Sequence, residues 1–181
     1  DFDRLQRNLH GKNFYIVVSD GMTAKPEYIE LSKENYINEM LATGSLPVLM
    51  KNPIKLNNKR KYDGGITDPL PVKKAYEMGA RDITIIRTYE ESFIRKTKLE
   101  NYIAALATRS HPEISKAILF NNVTYNSALK FIKNPPSDCT IKQICPPYRL
   151  KTKRATTNHI TMKADYQMGL KAGQNFLQKL T

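Results

Sequence analysis

The chain has 181 residues, with 29 Lys or Arg against 17 Asp or Glu, for a formal charge of +12. Its 40% of apolar residues recur along the whole length, so it can bury a core and is not a disordered tail. The longest unbroken apolar runs, such as Phe14 to Val18, are five or six residues, far short of the ~20 that a helix needs to cross a bilayer. With no signal peptide and no initial Met, the chain is expected to be a processed or truncated product. The expected location is the cytoplasm or the periphery of a membrane.

The charge is uneven. Residues 1–115 carry 18 basic and 15 acidic side chains, residues 116–181 carry 11 and 2. The excess in the C-terminal third suggests an anionic partner, nucleic acid or a phospholipid surface.

Asn13 to Ser19 is β-branched and aromatic, and reads as a strand buried on both faces, of the kind found in parallel sheets. Asp20 to Pro26 is a turn cluster, and Glu27 to Leu31 extends again. Ser32 is the expected N-cap of a helix whose stripe is Tyr36, Ile37, Met40 and Leu41, with Gly44 as its stop. Pro47 and Pro53 punctuate an extended stretch. Ile54 to Leu56 and Lys61-Tyr62 then flank Asn57-Asn58-Lys59-Arg60, the pattern of a hairpin with a basic tip.

Pro71 opens a helix to Met78, capped by Gly79, and Asp82 to Thr88 is a second buried strand. Helix, tight turn and strand read as half of a βαβ unit, preceded by a strand that ends at Asp63. Polar helices are expected at about 97–108 and 113–133, the second stopped by Pro135-Pro136. A short strand from Thr140 to Cys145 follows. A last helix from Thr161 to Leu180 has Met162, Tyr166, Leu170, Phe176, Leu177 and Leu180 as its core-facing stripe. The fold class is α/β.

Asp63-Gly64-Gly65 taken alone is a common turn sequence. Its position is less ordinary. It lies at the end of a strand, its glycines let other backbone come close, and a Pro-rich turn leads from it into a helix. Ligands of open α/β sheets bind outside the carboxyl ends of strands, where a catalytic carboxylate would stand.

Tyr62-Asp63-Gly64-Gly65-Ile66-Thr67-Asp68-Pro69-Leu70-Pro71-Val72, then Ala75, Gly79-Ala80 and Ile83 to Ile86, resembles the bacterial patatin-like phospholipases. Supporting likenesses are Phe14 to Asp20, Ala42-Thr43-Gly44-Ser45-Leu46-Pro47, Pro146 to Leu150, Arg154 to Thr157 and Tyr166 to Gly169. The resemblance implies a three-layer sandwich with a mostly parallel sheet in residues 1–90, and a helical, basic C-terminal extension in 91–181. It implies a serine esterase in which Asp63 is the base of a Ser–Asp dyad, with Gly64 and Gly65 shaping the turn around it, and no cofactor. Asp68 is expected to steady the following turn.

The family's Gly-rich oxyanion loop and Gly-x-Ser-x-Gly elbow have no counterpart here. Gly44-Ser45 lacks the flanking glycines, and Ser19-Asp20-Gly21 has the wrong order. The expected chain is therefore the C-terminal part of a longer acyl hydrolase, inactive alone, whose partners are a lipid or other acyl ester and a missing N-terminal segment. The histidines, His10, His111 and His159, have no recognisable catalytic setting.

Two basic clusters stand beside this reading. Lys55, Lys59, Arg60 and Lys61 read as a solvated hairpin tip or a phosphate site. Arg149, Lys151, Lys153 and Arg154 alternate like a strand, while the resemblance gives Arg154 a role in holding the C-terminal segment to the core. Aromatics beyond Tyr148 are lacking there, which disfavours nucleic acid and leaves an anionic membrane surface or plain solvent. Cys139 and Cys145 are expected as reduced, partly buried thiols, since two cysteines and His159 are too few ligands for a metal. The alternative function is a basic binding module without catalysis. A third is an inert, stable core.

Overall fold

A computed structural model describes residues 2–9, 11–47, 49–50, 54–153 and 156–180. Pro53, His10 and Arg154 lie outside the described residues. The elements are α1 (Phe2–Leu9), β1 (Tyr15–Asp20), β2 (Pro26–Glu30), α2 (Tyr36–Ala42), β3 (Ile54–Leu56), β4 (Lys59–Asp63), a 3₁₀ turn (Gly64–Ile66), α3 (Val72–Glu77), β5 (Asp82–Ile86), α4 (Leu99–Ala107), α5 (Pro112–Lys133), β6 (Thr140–Ile144) and α6 (His159–Gln178). The class is mixed α/β, with two compact units: Asp1–Pro71 with Arg95–Leu129, and Val72–Ile94 with Lys130–Thr181.

The first unit is built on a four-stranded sheet in the order β2-β1-β4-β3. Every pairing in it is antiparallel, which corrects the expectation of a mostly parallel sheet. The connections decide this, because a short turn joins β1 to β2 and two residues join β3 to β4, and such links return a strand antiparallel. Asn57 and Asn58 carry φ values of 50° and 60°, the left-handed pair that a two-residue hairpin turn requires. The basic tip is thus shorter than expected, since Lys59 and Arg60 already belong to β4.

β1 is apolar from Tyr15 to Val18 because it is central and covered on both sides. On one face Ile16 and Val18 pack with Phe2, Leu31 and Ala42, so α1 and α2 close that side. On the other, Tyr62 packs with Ile66, Ala105, Ile114 and Ile118, bringing in α4 and α5. The phase of α2 departs from expectation. It turns Glu39 and Ala42 inward and leaves Ile37, Met40 and Leu41 outside, at 59%, 47% and 51% exposed. Ser32 is not its N-cap. Asn35 holds that position, and Ser32 instead donates its N–H and hydroxyl to the buried Glu39 carboxylate, both at 2.9 Å. α4 is likewise not polar outside, since small Ala105 faces in while Leu99, Tyr102, Ile103 and Leu106 face out.

In the second unit β5 and β6 form a parallel pair, Asp82 opposite Thr140 through Ile86 opposite Ile144. β5 therefore does not pair with β4, and the expected βαβ unit is absent at that point. With a single neighbour β5 is not a buried strand: Ile83 is buried, but Ile86 is 77% exposed. Tyr76 of α3 stacks near Phe131, at 5.8 Å between ring centroids, and its hydroxyl and Arg81 both reach Asp138. Residues 145–153 form no strand, so the alternation through Arg149, Lys151 and Lys153 is that of an exposed loop. Cys139 and Cys145 are unbridged, and burial pushes the Cys145 thiol upward. Asn158 caps α6 by accepting the Thr161 N–H, and buried Asp165 accepts the Thr152 N–H at 2.6 Å. The stripe of α6 does not face a core: Met162, Tyr166, Leu170, Leu177 and Leu180 are all exposed.

Lys61 is not part of a solvated tip. It is 3% exposed and bonds Asp20 at 2.8 Å and Glu27 at 2.7 Å, tying β1, β2 and β4 together on one face of the sheet. Burial works against both charges of the Asp20–Lys61 pair. The Lys61 ammonium and the Thr23 and Met22 amides nonetheless hold the Asp20 carboxyl well below its ordinary range, while Asp20 and Glu27 raise Lys61. A lowered carboxylate stabilises fully above its unfolded value and loses that contribution as pH falls through the folded one. A raised amine behaves in the opposite sense. The contribution of the pair is thus complete between pH 3.8 and 10.5, and fades outside that window. Lys61→Met should cost about 3–5 kcal/mol at neutral pH by leaving Asp20 buried and unpaired. Urea denaturation of both proteins at pH 7 measures it, and the deficit should shrink in strong acid.

Candidate functional site

Asp63 ends β4 opposite Val18 of β1. Beyond it the strand cannot continue, because Gly64 folds against β1. A methyl group on Gly64 would lie 2.7 Å from Val17 Cβ and closer still to the Val17 carbonyl, so only glycine fits. The Asp63 backbone is held on both sides. Its N–H donates to Ser45 O at 2.8 Å, and its carbonyl accepts the Ser19 hydroxyl at 2.7 Å. Ser19 Oγ also lies 2.8 Å from Thr67 Oγ1, and the Thr43 hydroxyl donates to Val17 O at 2.6 Å. Three of the segments that carry the resemblance, 14–20, 42–47 and 62–71, are therefore neighbours in the first unit.

The half-exposed Asp63 side chain accepts the Gly65 N–H at 2.7 Å through Oδ1. That bond also makes it the cap of the 3₁₀ turn, so the carboxylate has a structural task with or without chemistry. Among the described residues Oδ2 has no hydrogen-bond partner and Asp63 forms no ion pair, which leaves one oxygen able to take a proton. Gly65 gives that carboxylate room: a Cβ there would sit 3.0 Å from Oδ1. Asp68 steadies the turn through β2, accepting the Tyr28 hydroxyl at 2.6 Å.

Three residues of the site had no signal in the sequence. Asn121, buried in α5, donates its amide to Gly65 O at 2.6 Å and Ile66 O at 2.9 Å. Its oxygen accepts from Arg95 at 2.6 Å, and Arg95 lies 4.0 Å over the Tyr125 ring. Asn126 exchanges two hydrogen bonds with the Arg95 backbone. In an amphipathic helix Asn121 and Asn126 read as surface polar residues, because their partners are 26 or more positions away. Only the fold reveals them as a clamp.

The serines near Asp63 are not nucleophiles. Ser19 and Ser45 are both fully buried, and Ser19 is committed to the Asp63 carbonyl rather than to its carboxylate. His111 stands beside Tyr62 and Arg60 rather than at Asp63. No cluster of metal-binding side chains occurs among the described residues. No helix among them is long and apolar enough to cross a membrane.

Asn121→Ala should destabilise the chain by about 1–3 kcal/mol, because the buried Ile66 carbonyl and the Gly65 carbonyl lose their donor. Gly64→Ala should be worse and prevent stable folding. Thermal denaturation of the purified variants tests both. An Asn121→Ala melting temperature equal to that of the native chain would refute the clamp.

Residues 111–181 match the model of a domain of unknown function, DUF6363. The chain is also 26% identical over 168 residues to a protein of Escherichia coli (strain K12), "Uncharacterized protein YjjU". That alignment covers 92% of this chain and 47% of the relative, so the chain spans about half the length of the curated protein it matches. No solved structure matches the chain.

Proposed function

We propose that this chain is the part of a patatin-like serine acyl hydrolase that supplies the catalytic base, Asp63, to a serine carried on another segment. The observation that carries the reading is the carboxylate itself. It sits at the end of a central strand, clamped through its own backbone and through Gly65 and Ile66, with one oxygen unengaged. A rigid support of this kind is what a general base needs, because proton transfer demands a fixed distance to the reacting hydroxyl.

In the proposed reaction the serine hydroxyl attacks the ester carbonyl and its proton passes to Asp63 Oδ2. Backbone N–H groups of a Gly-rich loop, also outside this chain, receive the oxyanion. Collapse of the tetrahedral intermediate expels the alcohol, which takes the proton from Asp63. Water then attacks the acyl-serine by the same route and regenerates both groups. Two further observations favour a missing segment. The chain spans about half of its relative, and the first unit leaves Ile37, Met40 and Leu41 of α2 and Leu99, Tyr102, Ile103 and Leu106 of α4 uncovered.

The experiment is to express this chain joined to an upstream segment that bears a Gly-x-Ser-x-Gly elbow, and to assay a p-nitrophenyl ester. The chain alone should be inactive. Asp63→Asn in the joined protein should lower kcat by about 10²–10⁴-fold, the usual worth of a general base. Hydrolysis unaffected by Asp63→Asn would refute the assignment.

A further inference from the structure

The helix α6 carries an apolar face that stays exposed among the described residues. At 3.6 residues per turn, Met162, Tyr166, Leu170 and Leu177 fall within about 80° of arc, and Leu180 follows in the turn just after the helix. Their exposures are 43%, 67%, 46%, 63% and 54%. One border of this stripe is the packed side, marked by buried Asp165 and half-buried Phe176. Beyond the other border stand the exposed Lys163 and Lys171. The helix is thus layered around its axis as anchor, apolar stripe and cationic edge.

Charge identifies the occupant. Residues 116–181 hold 11 basic and 2 acidic side chains. Neither acid offsets the surface charge: Asp138 is paired with Arg81, and Asp165 is buried on the Thr152 N–H. Arg149, Lys151 and Lys153, in the loop before the helix, are exposed and add to the same sign. A second copy of this chain would bring like charges together around the stripe. Nucleic acid would engage the lysines but leave four of the five stripe side chains in water, Tyr166 being the one aromatic among them. An anionic bilayer surface satisfies both, with apolar side chains in the acyl boundary and lysines reaching the headgroups.

We infer that α6 is an interfacial helix, lying in the plane of an anionic lipid surface with Met162, Tyr166, Leu170, Leu177 and Leu180 inserted and Lys163 and Lys171 on headgroup phosphates. The inference stands apart from the hydrolase reading, because it needs no catalytic residue.

Flotation of the whole chain with lipid vesicles tests it, comparing roughly 30% phosphatidylglycerol in phosphatidylcholine with phosphatidylcholine alone. Binding is expected only to the anionic vesicles, weakening as salt rises. Tyr166→Ser with Leu170→Ser should reduce it at least about tenfold, and Lys163→Gln with Lys171→Gln about fivefold per lysine. All four side chains are exposed, so circular dichroism should remain native in both variants. Three results would overturn the inference: no preference for anionic vesicles, flotation that survives the stripe variant, or a dimer in sedimentation that this variant abolishes. Capture of duplex DNA as tight as that of vesicles and indifferent to the stripe variant would overturn it as well.

Discussion

The contact between Gly64 and the backbone of Val17 is the constraint on which the candidate site depends. It stops β4 at Asp63, turns the chain out of the sheet and starts the 3₁₀ turn whose cap is the Asp63 carboxylate. A side chain at this position would collide with main-chain atoms of the central strand, which cannot move without breaking β1 from β2. Ser19, Ser45 and Asn121 then satisfy backbone groups at the strand end and the Thr43 hydroxyl caps Val17 O beside it, so the turn is held from three separate segments. Such over-determination fixes the strand end from which the Asp63 carboxylate projects.

The sheet beneath the turn is fastened differently. Lys61 joins three strands through Asp20 and Glu27, where a row of apolar side chains would also have filled the space. Buried ion pairs of this sort add little net stability over an apolar replacement, yet they strongly penalise any register in which one partner is missing. A slip of β4 by one residue would turn Lys61 to the opposite face, away from Asp20, and Asp63 away from its present side. The register of the ion pair is therefore also the register of the candidate base.

Much of this was legible where the signal is local. Asn57-Asn58 announces its hairpin, Pro135-Pro136 ends α5, and Asp63-Gly64-Gly65 marks the end of β4. What could not be read depends on partners distant in the chain. The apolar run of β1 suits a central strand of either kind, so its antiparallel pairing with β2 comes from the short connection and not from composition. Lys61 lies in a basic run and reads as solvated, because Asp20 and Glu27 are remote in sequence. α1 carries no local signal, since Phe2 is buried by residues remote from it in sequence, Ile16, Val18, Leu31 and Tyr36 among them. The apolar stripes of α2 and α6 have helical spacing, yet most of their side chains are exposed, and that of α6 does not face the core expected for it. Periodicity reports that a face is apolar and says nothing of what covers it.

The central claim is that Asp63 activates a serine that this chain does not contain. Its most direct test is the rate at which a fluorophosphonate labels that serine in the protein joining both segments, measured under single-turnover conditions before any deacylation. If Asp63 is the base, Asp63→Asn should slow labelling by about 10²-fold or more, while the melting temperature stays near that of the unaltered protein. Labelling at an equal rate in the two proteins would contradict the account.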